Sequence, residues 1–250
     1  MANWNDPQPR SGFGASPSPD GTVSGRAGGK VAYDTGLRRY MLSIYNYMAS
    51  GVLLSGVVAL GFASSGLAVQ VLTSPLRWLV MLAPLGFVMA MSFGFQRMKT
   101  STLQMLYWGF CVIMGLSMAS IFLVFTGASI ATTFFATAAA FAGLSLVGYT
   151  TKKDLSGFGT FLTMGLFGII IAMLIGMFVQ STALQLAISI LGVLIFAGLT
   201  AYDTQALKNQ YYSVRGTEYV GKAVVMGALR LYLDFINMFQ FLLSFLGDRR

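Results

Sequence analysis

Apolar residues run along the chain in seven long stretches separated by short polar breaks. They lie near 40–63, 78–96, 103–125, 128–149, 158–179, 183–204 and 221–246. Each is about 20 residues long, the length an α-helix needs to cross a bilayer core of roughly 30 Å. The pattern predicts an all-α membrane protein with seven transmembrane helices. Breaks as short as Gly127, or Gln180 to Thr182, leave room only for tight turns, so successive helices form antiparallel hairpins. Residues 1–36 are different. They are rich in Gly, Ser, Pro and Asp, without apolar periodicity, and read as a disordered tail ahead of a 37–250 membrane domain. No apolar h-region precedes a cleavage site, so the tail does not read as a signal peptide.

Composition agrees with this pattern. The chain is 56% hydrophobic and 10% charged, against about 25% charged in a soluble domain. So few charges cannot cover a water-facing surface. Small residues at helical spacing, such as Gly115, Ala119, Ala136, Ala140 and Gly143, suit close helix packing in lipid. There is one cysteine, Cys111, and no histidine. An internal disulfide, a histidine metal site, a Ser-His-Asp triad and a histidine pH switch are all excluded. Cys111 sits in an apolar run and reads as a packing residue.

The net charge of +8 does not point to nucleic acid, because the basic residues cluster at the ends of apolar runs. The tail and the loops after spans two, four and six hold Arg10, Arg26, Lys30, Arg38, Arg39, Arg97, Lys99, Lys152, Lys153, Lys208, Arg215 and Lys222, while the opposite loops hold only Arg77. That bias puts the N-terminus and its tail in the cytoplasm. A full seventh span then places Arg249 and Arg250 on the far side, against the bias; about 26 residues are ample for it to cross.

Of eight acidic residues, only Asp203 and Asp234 lie in or beside apolar helices. An aspartate at a helix centre costs roughly 2.5–3.5 kcal/mol on insertion scales, so such a residue turns inward and finds a partner. Asp234 belongs to a stripe. Arg230, Asp234, Asn237, Gln240 and Ser244 step by four, three, three and four residues and so share one helix face. The four-residue step predicts an ion pair between Arg230 and Asp234. Asp203 ends the sixth run beside hydroxyl and amide groups, in Thr200-Ala201-Tyr202-Asp203-Thr204-Gln205. Two carboxylates on consecutive hydrophobic helices can converge and titrate as a unit, which makes a proton sensor or a cation site without histidine. The alternatives are a structural ion pair and an interfacial aspartate. An intramembrane aspartyl protease fits poorly: the second aspartate of that class sits in a Gly-x-Gly-Asp turn, whereas here it follows Leu231-Tyr232-Leu233. No enzymatic activity is expected.

Three segments carry a family resemblance. Gly198-Leu-Thr-Ala-Tyr-Asp203-Thr-Gln205, Gly227-Ala-Leu-Arg-Leu-Tyr-Leu-Asp234-Phe-Ile-Asn237 and Gly148-Tyr-Thr-Thr-Lys-Lys-Asp154-Leu-Ser156 closely resemble signature segments of the Bax inhibitor-1 (transmembrane BAX inhibitor motif) family. The short loops look like its bacterial YccA-like branch, which implies a bacterial inner membrane. The resemblance implies seven helices, with the C-terminal one central and surrounded by the other six. It implies a pH-sensitive calcium leak, gated by a hydrogen-bonded di-aspartyl sensor at Asp203 and Asp234. Protonation would close it, and deprotonation would let the second helix move. Calcium is then a transported ion that Asp203 and Asp234 would ligate in passing, and no cofactor is expected. The implied partners are the lipid bilayer, calcium ions and, in the alternative reading of a non-transporting regulator, a membrane-bound AAA protease or stress and cell-death signalling. The chain departs from relatives that carry an arginine within the second helix: the span from Trp78 to Phe95 has none, and Arg97 at its end is the nearest candidate. Arg230, Asn237, Gln240 and Arg97 are the supporting polar residues expected around the aspartates.

Overall fold

A computed structural model describes residues 27–179 and 181–250, with side chains from Thr35 onward. Among the described residues eight helices follow one another: α1 Ala27–Ser64, α2 Leu67–Thr73, α3 Leu76–Gly94, α4 Thr100–Val124, α5 Gly127–Thr150, α6 Ser156–Val179, α7 Thr182–Val214 and α8 Tyr219–Leu246. Seven of them are long and apolar enough to cross a membrane; α2 is not. Helices satisfy every backbone N–H and C=O internally, which is the requirement that lipid imposes on a spanning segment.

The turns supply what the helix ends lack. Thr126 accepts a hydrogen bond from Ser129 N–H at the start of α5, and Ser181 accepts one from Leu184 N–H at the start of α7. Pro84 lies inside α3. It has no N–H to give the Val80 carbonyl one turn back. The Ser117 hydroxyl of α4 donates to that carbonyl instead.

At the extremes hydropathy and burial are inverted, as they are when the surroundings are lipid. The window of α6 is the most apolar, yet only 11% of it is buried, whereas α8 is the least apolar and 50% buried. Phe93, Phe178 and Met105 point outward. The centre of the bundle is α8. It packs against α7, α5 and α4, and its Tyr232 hydroxyl lies 2.6 Å from Ser55 Oγ of α1. Across two cavities it faces α6 and α3.

Three expectations differ from the structure. Helix α1 begins at Ala27, ahead of the first span expected near 40; residues 1–26 of the expected tail lie outside the described residues. The break after the first span holds α2, too short to show as a periodic run; Gly66 precedes it with φ 74°. The sixth span does not stop near 204 but continues to Val214. Asp203 is therefore well inside a helix, not at its end. The continuation is polar, so hydropathy alone ends the helix too early.

Candidate functional site

Two of the three signature segments, 148–156 and 198–205, meet where α5, α6 and α7 pack. Gly148 of α5 lies so close to α7 that a Cβ there would stand 2.9 Å from the Ala201 carbonyl carbon. One turn on, the Gln205 side chain reaches the α5–α6 turn. Its Oε1 accepts the Leu155 N–H at 2.9 Å and its Nε2 donates to the Lys153 carbonyl at 2.8 Å. Lys208 Nζ donates to the Tyr149 carbonyl at 2.7 Å. At the same turn the exposed Asp154 carboxylate accepts the Ser156 N–H at 2.9 Å and the Ser156 hydroxyl, which hold its pKa below the usual carboxylate range. The end of α5 and the start of α6 are thus pinned to the stretch of α7 that carries Asp203.

Asp203 and Asp234 are both buried, at 3% and 4% exposure. They come from adjacent helices, α7 and α8, and their carboxyl groups are close enough to interact. Arg230 Nε lies 2.6 Å from Asp203 Oδ2. The ion pair expected within α8 is instead made between helices. The physical reason is beside it: the Arg230 guanidinium stands over the Tyr202 ring of α7, 5.8 Å from its centroid, which holds it next to residue 203. Asp203 Oδ1 and Asp234 Oδ2 are buried with no hydrogen-bond donor among the described residues.

The pair opens on a cavity of about 860 Å3 between α6, α7 and α8. The whole stripe of α8 lines it: Arg230, Asp234, Asn237, Gln240 and Ser244. Asn237 Nδ2 is tied to the Leu233 carbonyl at 2.8 Å. Ser189 of α7 faces the stripe and donates to Ser244 Oγ at 3.2 Å. Arg230 and Leu233 also line a cavity of about 280 Å3 toward α3, and Gln240 and Ser244 one of about 370 Å3 that reaches Arg249. Three cavities thus follow the polar face of α8 for most of its length. Arg97 does not join them: it is exposed in the turn after α3. Sequence reasoning misses Tyr202 and Ser189. Gln185 and Ser189, one turn apart on an apolar helix, are the available signal.

Among the described residues no group of three or more His, Cys, Asp or Glu could hold a metal ion. Calcium takes six to eight oxygen ligands. Two carboxylates, one of them paired to an arginine, fall short of a resident calcium site.

The family described as inhibitor of apoptosis-promoting Bax1 matches residues 37–250. The chain belongs to the Bax inhibitor family. An uncharacterised Caulobacter vibrioides protein is 47% identical over 233 residues, covering 88% of this chain and 92% of that protein. One from Rickettsia prowazekii is 44% identical over 220 residues, covering 87% and 93%. The inner membrane protein YbhL of Escherichia coli is 43% identical over 219 residues, covering 86% and 94%. The match spans all seven candidate membrane helices from Leu37 on, so this Bax inhibitor family member is a multi-pass membrane protein.

Proposed function

We propose that this chain is a pH-sensitive cation leak channel of a bacterial inner membrane, with calcium as its cargo and the Asp203–Asp234 pair as its gate. One observation carries the reading: two buried carboxyl groups and one guanidinium meet where a line of cavities follows the polar face of a central membrane helix. A structural ion pair needs one acid for one base. Here a second carboxyl stands in the same site, and the three groups are electrically neutral when the two aspartates hold a single proton. Losing that proton leaves a net negative charge facing the cavity, which favours a cation there and loosens the contact between α7 and α8. The cation passes as cargo, ligated in transit. The charge bias of the loops supports a cytoplasmic N-terminus, and the name of the Escherichia coli relative supports the inner membrane.

The experiment is calcium flux into liposomes across a pH series, for wild type, Asp203→Asn and Asp234→Asn. Flux that rises with pH in the wild type, and is altered in its pH dependence by both variants, is the expected result. No flux at any pH from folded protein sinks the channel and leaves the alternative, a non-transporting regulator of a membrane-bound AAA protease. Deletion of residues 1–36 separates the two: a channel survives it and a tail-dependent regulator does not.

A further inference from the structure

A second large cavity lies away from the aspartates, between α1 and α5, with a volume of about 740 Å3. Its wall is apolar along most of its length, and Phe141 and Phe235 form part of it. Its polar residues are few. Ser145 has its hydroxyl engaged by Thr204, at 3.4 Å. The others stand toward one end, where α1 begins and α5 finishes: Arg38, Tyr45 and Tyr149. Arg38 is exposed and has no ion-pair partner among the residues whose side chains are described, Thr35 onward. Lys208 sits over the Tyr149 ring, 5.3 Å from its centroid, and Lys152 and Lys153 follow in the next turn. Away from this basic end the groove continues into an apolar cavity of about 390 Å3, which shares Val52, Leu53 and Phe134 with it.

An apolar slot with a basic end is the shape of a site for an anionic amphiphile. From Arg38 to Leu53 the groove follows about 22 Å of α1, at about 1.5 Å per residue, enough to take one acyl chain. We propose that the α1–α5 groove holds one acyl chain of an anionic phospholipid, with the phosphate against Arg38. A second copy of the chain is disfavoured, since it would bring another Arg38 face to the same rim. A basic pocket between membrane helices on the side where Lys and Arg concentrate is a recognised way to hold an anionic headgroup. The site is independent of the aspartate cavity and stands whether or not the protein conducts ions.

The test is native mass spectrometry of the full chain with phosphatidylglycerol and phosphatidylcholine of equal chain length, competed with free palmitate. Wild type should retain phosphatidylglycerol roughly fivefold over phosphatidylcholine, the factor that one basic residue beside an anionic lipid is worth. Arg38→Glu should abolish that preference. Ala142→Trp, at an exposed position of the groove wall, should lower occupancy by both lipids at unchanged unfolding temperature. Equal retention of the two lipids, a preference that survives Arg38→Glu, displacement by palmitate, or a dimer in place of bound lipid each overturns the proposal.

Discussion

Arg230 Nε stands 2.6 Å from Asp203 Oδ2 on the neighbouring helix, although Asp234 is only four residues away on its own. The arginine therefore ties α8 to α7 at the level of both carboxyl groups. Its side chain is 48% exposed, on the cavity, against 5% for Asp203, so water entering the cavity screens part of the attraction.

Removing Arg230 leaves Asp203 buried beside a second acid with no cation. Arg230→Ala should destabilise the fold by about 1.5–3 kcal/mol, the range of a hydrogen bond to a charged group. Adding Asp203→Asn to that variant should recover most of the loss, whereas adding Asn237→Ala should not. Thermal unfolding in detergent of the single and double variants checks this. A loss of the same size in the Asp203→Asn background would mean that the arginine pairs elsewhere.

Periodicity assigns this arginine to the wrong acid for a physical reason. It says which side chains share a face of one helix, and the α8 stripe is legible on that ground. It cannot weigh a partner on another helix. Tyr202, which steers Arg230 toward α7, carries no polar periodicity of its own. The same limit applies to Ser55 and Tyr232, whose contact joins positions 177 residues apart. The seven spans, by contrast, are legible because lipid demands about 20 apolar residues of each, and only the polar continuation of α7, the early start of α1 and the brief α2 escape.

The cavities along the polar face of α8 predict where conduction can be blocked without touching the gate. Gln240 lines both the central cavity and the one by Arg249. Gln240→Phe should lower calcium flux at least several-fold while the unfolding temperature and the pH midpoint of the residual flux stay put. Flux equal to wild type would place the path elsewhere.

At the α5–α6 turn the sign of the pH effect follows from Asp154. Its pKa is lowered in the folded protein by the Ser156 hydroxyl and N–H. A depressed carboxylate contributes stability above its unfolded value, about 3.9, and loses it as pH falls through the folded value. The protection of the first turn of α6 against hydrogen exchange, relative to the intrinsic rate at each pH, should therefore fall below about pH 4. In Asp154→Ala it should be low at every pH. An acid-insensitive first turn in the wild type would show that the bond to Ser156 does not hold the helix start.

Ser55 sits at the meeting of α1, α4 and α8. Its hydroxyl is 2.7 Å from the Cys111 carbonyl, 3.0 Å from the Gly51 carbonyl and 2.6 Å from the Tyr232 hydroxyl. Ser55→Ala strands the buried Tyr232 hydroxyl and should cost about 1–3 kcal/mol, while Tyr232→Phe removes the group itself and should cost about 0.5–1.5 kcal/mol. Denaturant unfolding of the two variants orders them; the reverse order would put the weight of the contact on the tyrosine.

Pro84 and Ser117 make the sharpest test of how the second span is held. In α3 the Val80 carbonyl loses its helical donor because residue 84 is proline, and the Ser117 hydroxyl of α4 replaces it. An unsatisfied carbonyl in hydrocarbon is costly, so Ser117→Ala should destabilise by about 1–3 kcal/mol. Pro84→Ala restores a backbone N–H at that position, which can bond the Val80 carbonyl within α3. In that background the same Ser117→Ala change should cost less than about half as much, a coupling that only a shared acceptor produces. The cycle also bears on gating. If opening moves α3, the Ser117–Val80 contact is one that must break or slide, and Ser117→Ala should raise flux at a fixed pH. Equal costs in both backgrounds, with flux unchanged, would mean that the proline merely packs and that α3 is held by its apolar contacts alone.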